Sequence, residues 1–115
     1  MIGEYNIFNC FASINIGNNC VTADHVSFIT NTHNYKDINT PIKCQGGEAH
    51  QISIGEGSWI GIKATILDGT SIGKNCVVAA HALVKGEFPD YCVIAGCPAR
   101  VIYKYNMKKD IWEKI

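Results

Sequence analysis

The sequence predicts an all-β protein, a stack of short extended rungs of six residues each, on three observations. A branched aliphatic residue recurs every six positions, at Ile54, Ile60, Ile66, Ile72, Val78 and Val84. A small residue follows each of the first five by four places: Ser58, Ala64, Thr70, Cys76 and Ala82. No proline interrupts residues 42–88, as expected if every rung is paired on both sides. A period of six is neither helical nor simply alternating. It suits a short extended rung that turns its aliphatic inward and ends at a corner where a small residue fits. Self-similarity at a fixed period marks a repeat architecture.

Taken in chain order, weaker sixes come first, starting at Ile16, Thr22 and Phe28, with Cys20, Val26 and Thr32 as fifth residues. Thr22 departs from the aliphatic rule. Phe28 and Ile54 are 26 residues apart (54 − 28), which is not a multiple of six. Residues 34–53 are therefore predicted to leave the stack and return, and their "HNYKDINTP" and "QGGEAH" are turn-like. Loops of that length are usually functional or disordered. The main array follows as IGEGSW, IGIKAT, ILDGTS, IGKNCV, VAAHAL and VKGEFP. Glycines 55, 61 and 73 are expected to relieve the backbone where it bends. Phe88 breaks the small-residue rule beside Pro89. In the C-terminal extension, residues 99–115, the spacing of Met107, Ile111 and Ile115 with Trp112 predicts a short helix capped by Asn106. Residues 1–115 read as one domain.

Composition narrows the function. The 115 residues carry zero formal net charge, which gives no general grip on nucleic acid or an anionic membrane. No apolar run reaches the length of a membrane helix. The start, "MIGEYNIFNC", lacks the basic segment and apolar block of a signal peptide. The six cysteines are accordingly expected to be reduced, in a cytoplasmic protein. No CxxC spacing occurs, which argues against a zinc knuckle. Hydrophobic residues make up 47% and charged residues 17%, an excess that suggests apolar surface covered by a partner chain. About ten rungs, three to a coil, would stack at about 4.8 Å into a column roughly 15–20 Å tall. So thin a column is expected to pair an apolar face with other copies, and three sides favour a homotrimer.

Several stretches go further: "IGNNC" running into "FITNTHNY", then "ISIGEGSWIGIKATILDGTSIGKNCVVAAHALV", then "AGCPARVI". Together they resemble the hexapeptide-repeat acyltransferases, and within them the maltose, galactoside and xenobiotic O-acetyltransferase branch. The resemblance implies a left-handed parallel β-helix and transfer of an acetyl group from acetyl-CoA to a sugar or glycan hydroxyl. It places a general base at His33, which follows the T-x-T-like run. A neutral imidazole suits that role, because it takes the hydroxyl proton as oxygen attacks the thioester and returns it to the departing thiolate.

By the same resemblance the acyl donor lies along the outside of the stack, between two subunits. Its contacts would come from Gly61, Ile62, Ala79 and Ala80. Lys85, Arg100 and Lys104 would meet its phosphates, and Trp59 would wall the site near His33. Asn6 or Asn9 would stand near the branch's acceptor-site asparagine. No carboxylate occupies the acidic acceptor position, where Ser13 is nearest. Larger members carry an N-terminal helical segment that this sequence lacks. No metal is expected. A related β-helix family binds zinc through histidines of neighbouring subunits, but its five-residue histidine pair is missing here. N-acetylation of an amino sugar or xenobiotic, or a non-catalytic binding scaffold, are the alternatives. His25 is expected at a corner or subunit interface, and His50 on a loop surface, with a part in shaping the site as the alternative. His81 reads as a packing change or a modifier of the cofactor channel. Cys20 and Cys76 read as structural. Cys44 and Cys97 have no evident basic activator.

Overall fold

A computed structural model describes residues 1–115. The chain winds four coils around a three-sided column. The first coil holds β1 (Ile7–Asn9), β2 (Ile14–Ile16) and β3 (Val21–Thr22). The second begins with β4 (Ser27–Ile29), throws out a hairpin arm of β5 (Asn31–His33) and β6 (Gly47–Ala49), and resumes with β7 (Ile52–Ile54) and β8 (Trp59–Ile60). The third is β9 (Thr65–Ile66), β10 (Ser71–Ile72) and β11 (Val77–Val78). The fourth is β12 (Leu83–Val84), β13 (Glu87–Phe88) and β14 (Cys92–Gly96), followed by β15 (Ala99–Asn106) and β16 (Ile111–Lys114).

Three parallel sheets form the sides. The first face is β1-β4-β9-β12 and the second is β2-β7-β10-β13. The third is β3-β8-β11-β14, continued by β15 and β16. Register explains the period, because equivalent residues stack directly. Phe8, Phe28, Ile66 and Val84 form one inward column. Ile16, Ile54, Ile72 and Phe88 form the second. Thr22, Ile60, Val78 and Ile94 form the third. Most of these side chains are buried, and they form one core with the small residues at the corners.

The corners have their own rule. The fourth residue of each six lies in the left-handed region: Asn19, His25, Gly57, Lys63, Gly69, Asn75 and His81. There the chain turns, and the small fifth residue then points into the column. Asn and His tolerate this conformation better than most side chains, which accounts for His25 and His81 as corner residues. His25 also stacks on Tyr5, ring centres 5.2 Å apart. Gly61 answers a different need. A β-carbon there would lie 2.7 Å from the Ala80 nitrogen of the next coil, so the glycine permits close stacking rather than a bend.

Three expectations are corrected. Phe88 is not a misfit fifth residue. It pairs with Ile72 and fills the inward place of the second face, because the corner at Lys85–Gly86 is two residues short, with Gly86 at φ +117°. The excursion leaves earlier than residue 34 and is not irregular throughout: "FITNTH" is cut after Thr30, and Asn31–His33 pair antiparallel with Gly47–Ala49. The terminal helix is absent. Residues 99–114 form an antiparallel hairpin on the third face. The Asn106 side chain accepts bonds from the backbone N–H groups of Lys108 (2.9 Å) and Lys109 (3.1 Å), capping a turn that Asp110 ends at φ +54°. Alternating Val101, Tyr103 and Tyr105 favour a strand, and Tyr105 meets Trp112 edge-on at 5.4 Å; such cross-strand pairs outweigh the four-residue spacing.

No cysteine is bridged. Cys20, Cys76 and Cys92 are buried, whereas Cys10, Cys44 and Cys97 are exposed. Burial, together with Cys76 at 3.6 Å, pushes the Cys92 thiol up to about 12. Alkylation of the native protein near pH 8 is therefore expected to add three labels, and six after unfolding in urea. Mass spectrometry distinguishes these, and rapid native labelling of Cys92 would contradict the buried arrangement.

Candidate active site

The arm leaves the column at the corner between the first and second faces. Thr30 is fully buried there. Its hydroxyl donates to the Asn9 carbonyl (2.6 Å) and accepts from the N–H groups of Phe11 (2.9 Å) and Ala12 (3.2 Å). The His50 N–H donates to the Thr30 carbonyl at 2.8 Å and closes the neck of the arm. Toward the tip, the Asp37 carboxylate accepts from the Thr40 hydroxyl (2.8 Å) and the Asn39 N–H (3.0 Å). These bonds hold its carboxyl below the usual range. Gln45 ties the same turn by donating to the carbonyls of Asp37 (2.8 Å) and Thr40 (2.7 Å).

His33 ends β5, opposite Gly47, and so stands on the arm rather than at the end of a rung. Its side chain is exposed and opens into a cavity of about 430 Å³ lined also by Phe11, Thr32, Lys43 and Glu48.

A second group lies at the same corner. Asp68, only 6% exposed, accepts a bond from Lys85 Nζ at 2.9 Å on one oxygen. Its other oxygen lies 2.9 Å from His50 Nδ1. These residues precede β7, follow β9 and follow β12, so three successive coils bring them into line. Burial pushes the Asp68 carboxyl up, but the bonds and charges of Lys85 and His50 outweigh it and hold the carboxyl below its ordinary value. His50 is thus no idle loop residue. Its partner Asp68 was not singled out from the sequence, where it reads only as the third residue of a six. Lys85, expected to meet phosphate, is engaged with Asp68.

The sign of the pH effect follows. The folded state holds the Asp68 proton less tightly than the unfolded chain does. Its stabilising contribution is full above the unfolded value, near 3.9, and fades as the pH falls through the lower folded value. Urea unfolding should therefore show wild type well ahead of Asp68→Asn at pH 6, with the gap narrowing as the pH falls below the unfolded value. A gap independent of pH would remove the assignment.

The other expected site residues fall into separate groups. Asn9 lies on β1 beside the knot made by Thr30, and its side-chain oxygen is buried without a partner. Asn6 instead brackets two coils, donating to the Gly3 carbonyl (3.1 Å) and accepting from the Val26 N–H (2.8 Å). Gly61, Ile62, Ala79 and Ala80 line the corner between the third and first faces. Trp59, Arg100 and Lys104 belong to the third face, opposite the corner that carries the arm. Trp59 shares a cavity of about 360 Å³ with Tyr105, Met107 and Trp112. One chain alone therefore does not bring Trp59 beside His33.

The outward residues differ by face. On the third they are Val21, Trp59, Val77, Val93 and Tyr103. On the second they are Asn15, Ser53, Ser71 and Glu87.

Comparison with known proteins agrees with this architecture. Residues 51–86 match the family model described as bacterial transferase hexapeptide (six repeats). A Mycobacterium tuberculosis protein named as a probable acetyltransferase is 39% identical over 98% of this chain and 37% of its own length. The Escherichia coli protein WbbJ, whose name attaches it provisionally to O-acetyl transfer in lipopolysaccharide biosynthesis, is 35% identical over 98% of this chain and 61% of its own. The crystal structure of a maltose O-acetyltransferase from Clostridium difficile superimposes with a TM-score of 0.78 at 30% identity. That match covers 90% of this chain and 57% of that one. The chain thus spans less than two thirds of the length of each of these relatives. Their shared fold is the left-handed parallel β-helix, and the three parallel faces fit it.

Proposed function

Because the chain carries the bacterial transferase hexapeptide repeat and resembles the O-acetyltransferases built on it, we propose that it moves an acetyl group from acetyl-CoA to a sugar or glycan hydroxyl. The observation that carries this reading is the placement of His33, exposed on an ordered arm above a cavity large enough for a hydroxylated ring. Its neutral imidazole accepts the hydroxyl proton as the oxygen attacks the thioester carbonyl. The tetrahedral intermediate then expels the CoA thiolate, which takes the proton back. Direct transfer is preferred over an acyl-cysteine, because neither of the exposed thiols Cys44 and Cys97 has an evident basic activator.

The acting unit in this reading is a cytoplasmic homotrimer. The apolar third face supports it, since Trp59 and Tyr103 are 52% and 39% exposed and a second copy would cover them. Trp59, Arg100 and the glycine corner of one chain would then meet His33 of its neighbour. The first test is release of free thiol from acetyl-CoA across a panel of sugars, and no release with any sugar would overturn the reading. The second is to mix His33→Ala with Arg100→Ala chains after subunit exchange. Mixed trimers should recover activity above the sum of the two variants, because some interfaces keep both residues.

A further inference from the structure

The cavity beside His33 does not stop at the arm. It meets a second groove of about 640 Å³ along the second face, and the two share Ala49, with Phe11 lining one and Ala12 the other. The groove's polar side chains include Ser13, His50, Gln51, Ser53, Ser71 and Glu87. It therefore presents hydroxyl, amide, imidazole and carboxylate groups, with few apolar ones. The parallel stacking sets Ser53, Ser71 and Glu87 in one row, each paired directly with the next.

His50 is oriented by its bond to Asp68. A carboxylate accepts hydrogen bonds but donates none, so the 2.9 Å contact with Asp68 places a proton on Nδ1. In the neutral ring that leaves the Nε2 lone pair to accept from a donor. Half of the side chain is exposed, and the nearest protein charge to Nε2 is Glu48 at 3.7 Å, itself an acceptor. An outside donor, such as a ligand hydroxyl, suits that position. The Ser hydroxyls and the Gln51 amide can both donate and accept, and Glu87 accepts. Such a row recognises a ligand with many hydroxyls on a repeating frame.

We infer that the groove along the second face is an extension subsite for a polyhydroxylated chain, with His50 Nε2, oriented by Asp68, accepting a hydrogen bond from a ligand hydroxyl. The acceptor in the proposed reaction is then a glycan of two or more units, its reacting hydroxyl at His33 and its neighbouring units past Ala49. This rests on the acetyl-transfer reading for the role of the ligand, but the subsite itself is tested by binding alone.

The experiment uses oligosaccharide ladders of one to five units built from glucose, galactose and N-acetylglucosamine. Binding to the full chain is measured by calorimetry without acetyl-CoA, and thiol release is measured separately with it. In at least one ladder, affinity should rise about tenfold or more between one and three units. His50→Ala should abolish that rise while leaving single-unit affinity unchanged, and KM for acetyl-CoA should not move. His50→Gln, whose amide oxygen can accept, should restore part of it. In ¹⁵N spectra near pH 8 the wild-type ring should carry its proton on Nδ1, and Asp68→Asn should shift it toward Nε2. Affinity independent of length in every ladder would overturn the inference, as would a length gain that survives His50→Ala. Length-dependent binding without thiol release would leave the subsite standing and remove the acetyl-transfer reading; thiol release without length dependence would do the reverse.

Discussion

Replacing His33 by alanine is expected to lower turnover by about 10²–10⁴-fold, the range typical for loss of a positioned proton-transfer group. The fold should be unaffected. His33 is exposed on the arm, outside the column, and the arm is held by the Thr30 neck and the Asp37–Gln45 ties rather than by the imidazole. Acetyl-CoA should bind nearly as in wild type, because the glycine corner and Arg100 proposed to hold it keep their places when the imidazole is removed. Steady-state kinetics alongside a thermal melt make the check. Wild-type turnover in a folded His33→Ala protein would end the proposed mechanism.

The largest expected loss of stability comes from Phe28→Ala. Phe28 is fully buried and lies between Phe8, stacked at 5.0 Å, and Ile66 in the next coil. Truncation of a buried Phe typically costs about 3–5 kcal/mol, from lost transfer energy and the cavity left behind. That is a large part of the roughly 5–15 kcal/mol that holds a typical domain together. The rungs stacked around it are only two or three residues long, so neighbouring backbone has little freedom to collapse into the gap. Urea denaturation measures it. A cost below about 1 kcal/mol would mean that the inward column does not carry the core. Phe8→Ala should cost less, since Phe8 is 40% exposed.

Reading the column from sequence worked where one residue type answers one geometric demand. Ile54, Ile60, Ile66, Ile72, Val78 and Val84 point inward because each fills the buried place of its rung. It failed where the count slips. Phe88 fills an aliphatic place after a corner shortened by two residues, and a rule of strict sixes assigns it to the wrong position. The terminal hairpin was missed because Met107, Ile111 and Ile115 imitate a helical stripe, whereas the deciding contact, Tyr105 on Trp112, spans a turn. At the candidate site, His33 is singled out by a local motif. Asp68 was not, because its partners His50 and Lys85 stand 18 and 17 residues away along the chain. Only the winding of three coils makes them neighbours, and no local pattern records that.

The neck beneath the arm has a consequence for how such a protein can change. One backbone bond, from His50 to the Thr30 carbonyl, joins the two points where the chain departs and re-enters, and the rungs on either side keep register without help from the segment between. Lengthening a closed loop is entropically cheap, about 0.6 kcal/mol for each doubling. The segment between those points can therefore be exchanged for a longer or shorter one while the coils stay in place. In the proposed reaction the surface that would select the acceptor is free to diverge, and the far side, which would serve a donor of fixed chemistry, stays under the strict spacing of the repeat.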